Sequence, residues 1–194
     1  MFLPIRSSIG DKIFRMPRYI AFLRAINVGG RVVTMERLRT LFADMGFTNV
    51  QTFIASGNVI FDAKSVATKK LQKDIERQLE ASLGYSVATF LRTAEELRAV
   101  SLYEPFAADA IAESRAFCIG FLTENLTPES KSALMLLKTD IDDFHVHDRE
   151  VYWLCHKKQS ESTFSNRLFE RSTKALTTFR NATTVAKLAA KYGR

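Results

Sequence analysis

One short stretch of the chain combines an arginine, an asparagine and two glycines in a pattern that can bind an anion. Asn27-Val28-Gly29-Gly30 follows an apolar segment that ends in Arg24. Glycines let backbone N–H groups approach a ligand closely, and an arginine supplies the positive charge that pairs with a phosphate or carboxylate. The spacing differs from that of a Walker loop or a dinucleotide-binding fingerprint. Taken alone, the loop is better explained as a turn that requires a positive φ.

Two further segments carry polar residues that can contribute to such a site. Ser56-Gly57-Asn58 separates two apolar segments and is typical of a tight hairpin turn, which explains Gly57 well. Arg180-Asn181 precedes the last predicted helix, where exposed N–H groups and the helix dipole favour an anion. Ordinary capping by Asn181 is the somewhat better explanation there. The candidate ligand-binding residues are Arg24, Asn27, Gly29, Gly30, Ser56, Asn58, Arg180 and Asn181.

The histidines and cysteines do not predict a metal or nucleophilic site. Pairing of two predicted strands across Asp148–Glu150 places His145 near Trp153. The same pairing places His156 near residues 142–143, so the imidazoles do not converge on a zinc ion. The two cysteines lie in apolar runs and are expected to be buried, reduced thiols. We therefore expect no metal and no cofactor, and the sequence identifies no catalytic residue.

Apolar periodicity predicts the elements that position the candidate residues in the first half of the chain. Tyr19–Arg24 is apolar at nearly every position, which is typical of a strand covered on both faces. The following elements are predicted as a helix between Thr34 and Gly46, strands at Val50–Ala55 and Asn58–Phe61, a helix from about Val66 to Leu83 and a strand at Ser86–Leu91. The order βαββαβ is that of a ferredoxin-like unit.

This topology brings the candidate residues together. In a βαββαβ unit, strands one and three are neighbours, and the end of strand one shares an edge with the turn between strands two and three. Arg24, Asn27, Ser56 and Asn58 can therefore line one pocket. Hairpin chemistry and a binding site explain this clustering about equally well. Because an unpaired charge at the end of a covered strand is costly, we expect Arg24 to meet a ligand anion or an internal carboxylate. An internal carboxylate together with a filled pocket would make Arg24 structural, whereas a guanidinium that points into an open cleft would favour anion binding.

The second half of the chain resembles the first in its predicted order of elements. These are a helix opened by a Thr93–Glu96 capping box, a loop at Tyr103–Asp109, a strand at Phe117–Leu122, a helix from Thr127-Pro128, a hairpin of Ile141–His147 and Val151–Lys157, a short helix at Phe164–Arg171 and a last helix at Ala182–Tyr192. We predict an α+β fold of two ferredoxin-like (βαββαβ-type) units packed together. Residues 16–92 form the first unit and residues 93–194 the second, whereas residues 1–15 form an N-terminal extension that contributes little to the core.

Several segments resemble the bacterial domain-of-unknown-function 1697 family. They are Tyr19–Gly30 (YIAFLRAINVGG), Met35–Leu38 with Met45–Phe47, Gln51–Phe61 (QTFIASGNVIF) and Thr178–Asn181 (TFRN). The resemblance covers about Pro17 to Tyr192 and departs from the family pattern at Ala182, where a tryptophan is common. It implies two ferredoxin-like units, no established activity and no catalytic residues.

Composition favours an anionic partner. The 194 residues include 28 Lys and Arg against 21 Asp and Glu, which gives a net charge of +7 spread along the chain. The leading hypothesis is a cytoplasmic protein that binds a small anionic or phosphorylated ligand at the strand-edge loops. An enzyme acting on a phosphorylated substrate would use the same pocket, so the sequence does not decide whether the protein is an enzyme.

The alternative hypothesis is a nucleic-acid-binding protein that acts through a basic surface. RNA-recognition domains share the βαββαβ topology, but the third strand here lacks their glycine-aromatic signature. A first strand covered on both faces also conflicts with an open sheet for base stacking. No apolar run approaches the ~20 residues that span a bilayer, so we expect no membrane partner. The sequence does not set the oligomeric state.

Overall fold

The computed structural model describes residues 16–27, 30, 32–54, 57–64 and 67–193. The predicted extension, Met1–Arg15, lies outside the described residues. Within those ranges the chain forms an α+β structure with two four-stranded antiparallel sheets and seven α-helices.

The first sheet has the strand order β2-β3-β1-β4, with β1 antiparallel to both of its neighbours. Its elements are β1 (Arg18–Leu23), α1 (Met35–Asp44), β2 (Thr48–Phe53), β3 (Asn58–Asp62), α2 (Thr68–Leu83) and β4 (Thr89–Thr93). Helix α1 begins where the Thr34 hydroxyl accepts a hydrogen bond from the Arg37 N–H at 3.1 Å. Helix α2 ends at Gly84, which adopts a left-handed conformation.

The second sheet has the order β6-β7-β5-β8, which repeats the order of the first. The elements of this half are α3 (Ala94–Leu102), α4 (Ala108–Glu113), β5 (Ala116–Phe121), α5 (Pro128–Met135), β6 (Asp142–His147), β7 (Glu150–Cys155), a 3-10 helix at Gln159–Glu161, α6 (Asn166–Thr173), β8 (Thr178–Asn181) and α7 (Ala182–Tyr192). Both orders are consistent with the predicted ferredoxin-like units.

Three sequence-based expectations for the second half were wrong. The strand β8 was not predicted, because four residues carry too little alternation to indicate a strand. Helix α4 begins at Ala108, inside the predicted loop. The β6–β7 register is shifted by one residue, because a two-residue turn replaces the expected three-residue turn, so His145 pairs with Tyr152 instead of Trp153. His156 correspondingly donates its backbone N–H to the Ile141 carbonyl.

Strand β1 is covered on both faces, as its uninterrupted apolar run predicted. On one face, Tyr19, Ala21 and Leu23 pack in a core with residues of α1 and α2. On the other face, Ile20 and Phe22 pack against the second sheet. The rings of Phe22 and Phe121 stack with centroids 3.9 Å apart. The two sheets therefore share one apolar core, which fixes the positions of polar residues along its margins.

Candidate functional site

The carboxyl end of β1 and the β2–β3 turn lie at the same edge of the first sheet, as the topology predicted. The Leu23 N–H donates to the Gly57 carbonyl at 2.8 Å, and Phe22 pairs with Asn58. From β8 of the second sheet, Arg180 reaches the same edge. Its Nη2 donates to the Leu23 carbonyl at 2.9 Å, and its Nε donates to Asn58 Oδ1 at 2.8 Å. We call this region, with Arg24, Asn27 and Gly30, the strand-edge site.

Arg24 meets an internal carboxylate at this edge. Its Nη2 lies 2.7 Å and 2.8 Å from the two carboxylate oxygens of Glu170, a residue of α6. Both side chains are half-buried, with 29% of Arg24 and 19% of Glu170 exposed. Within the described part of the chain, the buried Nε of Arg24 has no hydrogen-bond partner. Glu170 is thus one of the two kinds of partner expected for this charge, and it engages only one guanidinium nitrogen.

Arg180 is held more tightly than Arg24. Besides its bonds to Leu23 and Asn58, its Nη1 donates to Thr178 Oγ1 at 2.7 Å and to the Phe179 carbonyl at 3.0 Å. Its guanidinium carbon lies 5.8 Å from the centroid of the Phe22 ring. Burial lowers the pKa of Arg180 to about 10, so the group remains charged at neutral pH. This arginine joins the two sheets and places a fixed positive charge beneath the strand-edge site.

In the loop after β1, Asn27 and Gly30 are exposed, and the Asn27 side chain bonds across the loop. Asn27 Oδ1 accepts a hydrogen bond from the Val33 N–H at 2.6 Å. Gly30 has φ +81°, and no atom lies within 4 Å of the position that a Cβ would occupy. The positive φ fits the turn, and the empty space leaves room beside the backbone. Gly29 and Ser56 lie outside the described residues.

Asn181 caps the N-terminus of helix α7. Its Oδ1 accepts from the Thr183 N–H at 2.9 Å and from the Thr183 hydroxyl at 2.6 Å. The side chain is therefore engaged locally at the start of α7, as the capping explanation of this position requires.

A second polar region, which the sequence did not reveal, lies near the other end of β1. We call it the junction cavity. It has a volume of about 360 Å³ and is lined by Arg92, Glu96, Ala99, Val100, Tyr103, Asn125, His147, Asp148, Arg149, Glu150 and Tyr152. These residues come from β4, α3, the β5–α5 loop and the β6–β7 hairpin, so no continuous motif exists. The one available signal was Arg92, a charged residue inside an apolar strand.

A buried ion pair joins the two sheets at the junction cavity. Arg92 Nε lies 2.6 Å from Glu150 Oε1, and the side chains are only 1% and 6% exposed. The remaining guanidinium nitrogens donate to the carbonyls of Leu91, Leu122 and Arg149 at 2.7 to 3.0 Å. Desolvation by burial lowers the pKa of Arg92 from its ordinary value. The pair is therefore fully enclosed by its own partners.

The tyrosines at this cavity differ in their hydrogen bonding. Tyr103 shares a hydrogen bond with His145 Nε2 at 2.8 Å, and its ring stacks on His147 with centroids 4.0 Å apart. Tyr152 is completely buried, and among the described residues its hydroxyl has no hydrogen-bond partner. Burial is the main cause that raises the pKa of Tyr152, so the hydroxyl keeps its proton. It is a donor without an acceptor.

The described residues offer neither a metal cluster nor a membrane-spanning helix. In the described ranges, no group of three or more His, Cys, Asp and Glu residues is arranged to hold a metal ion. The helices of the same ranges are each too short or too polar to cross a membrane.

Comparisons with known proteins give a family and a fold. A family model described as "protein of unknown function (DUF1697)" matches residues 16–152. The structure is similar to that of the conserved protein SP0830 from Streptococcus pneumoniae, with a TM-score of 0.72 and 23% sequence identity. The similarity covers 92% of this chain and 99% of that one. Comparison with curated proteins finds no match.

Proposed function

Because the chain belongs to the domain-of-unknown-function 1697 family, whose description assigns no activity, we propose a function from geometry alone. The proposed function is the binding of a small anionic or phosphorylated ligand at the strand-edge site. Arg24 would contact the anion, and the loop from Asn27 to Gly30 would supply backbone N–H groups. The proposal includes no chemical step.

The contact between Arg24 and Glu170 carries this proposal. An arginine offers five N–H donors, which match the oxygens of a phosphate or carboxylate. Glu170 engages Nη2 alone, and in the described part of the structure the other two guanidinium nitrogens form no hydrogen bond. Because Nε is buried, Nη1 is the donor left for a ligand. The Arg24 side chain is also 29% exposed. An oxyanion can therefore bind by sharing Arg24 with Glu170 or by displacing it.

The alternative of nucleic-acid binding has less support. Both faces of β1 are covered, so this strand offers no surface on which bases could stack. What remains in its favour is the net charge of +7. Short RNAs therefore enter the experiment below as one of its arms.

A thermal-shift panel tests the proposal. The probes are inorganic phosphate, nucleoside monophosphates, phosphorylated sugars and short RNAs. A specific ligand at 100 times its Kd stabilises the folded state by about 2.7 kcal/mol. For a chain of this size that raises the Tm by roughly 5–11 °C. A shift with RNA but with no small anion would favour the alternative function.

Two variants at one ion pair separate binding from structure. Arg24→Ala should abolish the ligand-induced shift, whereas Glu170→Gln should enlarge it because the competing carboxylate is gone. Arg77→Ala is the matched control, since Arg77 forms an exposed ion pair with Asp74 within one helix. If both test variants lower the Tm of the free protein equally and no anion gives a shift, the pair only stabilises the fold and the proposal is wrong.

A further inference from the structure

The junction cavity is separate from the strand-edge site. Arg92 pairs with Ile20 near the start of β1, whereas Arg24 follows the end of the same strand. The two sites share no residue. A ligand at one site would therefore not contact the other, and variants can address each site independently.

At the junction cavity, the Tyr152 hydroxyl has no hydrogen-bond partner among the described residues, and this needs an explanation. Nearly all buried polar groups in folded proteins have a hydrogen-bond partner, and an exception needs a reason. Tyr152 borders the cavity, but its oxygen is shut off from solvent. The half-buried ring of Tyr103 is a neighbouring side chain, with its centroid 5.3 Å from that of Tyr152. An acceptor on a ligand bound in the cavity would satisfy the hydroxyl if the Tyr103 ring were displaced.

The charges around the cavity restrict the class of ligand. Arg92 is paired with Glu150, and Arg149 Nη2 contacts Glu96 Oε1. Asp148 adds one further, exposed carboxylate. The cavity lining thus carries charges of both signs, so a simple anion or cation would have a like charge nearby. A zwitterion can place each of its charges beside an opposite one.

The size and remaining walls of the cavity agree with a small molecule. Its volume of about 360 Å³ suits a ligand as large as a free amino acid with its side chain. Ala99, Val100 and Tyr103 form an apolar and aromatic wall on one side. We propose that the junction cavity binds a small zwitterionic ligand of the α-amino-acid class, with its carboxylate accepting from Tyr152 and Arg149 and its ammonium group beside Glu96.

Ligand-observed NMR with the twenty common L-amino acids tests this site in the full-length protein. The matched probes are the N-acetyl derivative and the amide of each binder, which each lack one charge, and inorganic phosphate, which lacks the positive charge. At least one free amino acid should bind, and both derivatives should bind at least about tenfold more weakly. Binding of phosphate alone, of either derivative as tightly as the free amino acid, or of no amino acid at millimolar concentration would overturn the proposal.

Tyr152→Phe is the informative variant because it removes only the hydroxyl oxygen. The free protein should melt at the same or a higher temperature, since the lost group had no partner. Amino-acid binding should weaken at least about tenfold, which corresponds to 1.4 kcal/mol. Arg24→Ala, in the other site, should leave this binding unchanged. A Tyr152→Phe protein that melts lower and binds the amino acid normally would show that the hydroxyl is structural.

Discussion

The buried ion pair between Arg92 and Glu150 should control the stability of the whole protein. In the variant Arg92→Met, the Glu150 carboxylate stays buried without its counter-ion, and the carbonyls of Leu122 and Arg149 lose a donor. Removal of one partner of a buried pair costs about 3–5 kcal/mol. For a chain of this size, the corresponding fall in Tm is roughly 6–20 °C. Urea unfolding followed by circular dichroism, together with thermal melts, measures both quantities.

The exposed pair between Lys69 and Glu124 provides the matched control. It also joins α2 of the first half to the β5–α5 loop of the second, but its side chains are 75% and 67% exposed. An exposed pair contributes about 0–1 kcal/mol, so Lys69→Met should change the Tm little. The double variant Arg92→Met/Glu150→Leu should recover most of the loss, because it removes the orphaned charge. Equal losses for Arg92→Met and Lys69→Met would refute the reasoning.

Three further predictions concern single sites. Phe22→Ala should cost about 3–5 kcal/mol in urea unfolding, because its ring is fully buried against Phe121. Gly57→Ala should destabilise more than Gly46→Ala, by at least about 1 kcal/mol. Both glycines have a positive φ, but a Cβ at Gly57 would lie 2.8 Å from a side-chain atom, whereas the space at Gly46 is open. Burial raises the pKa of Cys118 to about 11, so between about pH 9 and 11 the unfolded chain loses this proton while the folded chain keeps it. Stability should therefore fall as the pH rises through this window, and Cys118→Ala should make the fall shallower.

Local patterns in the sequence were sufficient for most of the elements. The apolar run at Tyr19–Arg24 predicted the two-sided cover of β1 because burial on both faces leaves no polar alternation. The Thr93–Glu96 capping box and the Asn181 cap are interactions within a few residues, so their residue types identify them. Helix α7 accordingly has the predicted bounds.

Contacts between residues far apart in the chain could not be predicted from the sequence. Arg24 was expected to meet an anion or a carboxylate, but nothing near it in the chain identifies Glu170, which is 146 positions away. Arg92 and Glu150 are 58 positions apart. Strand β8 is a strand because β5 lies beside it, and its four residues alone do not require that conformation. Periodicity shows which face of an element is buried, and the partner depends on the tertiary fold.

The late position of β8 and α7 in the chain has a consequence for synthesis on the ribosome. The first sheet is complete at Thr93. Strand β8, which carries Arg180 to that sheet, ends only at Asn181. Helix α7, which packs on α3, ends at Tyr192. At about 5–20 residues per second, the roughly 90 residues that separate β4 from the end of β8 need about 5–18 s. Throughout that interval, the apolar face with Ile20 and Phe22 lacks part of its cover. A nascent chain that stalls in this window exposes an apolar surface to which chaperones can bind. The same surface can aggregate with other nascent chains.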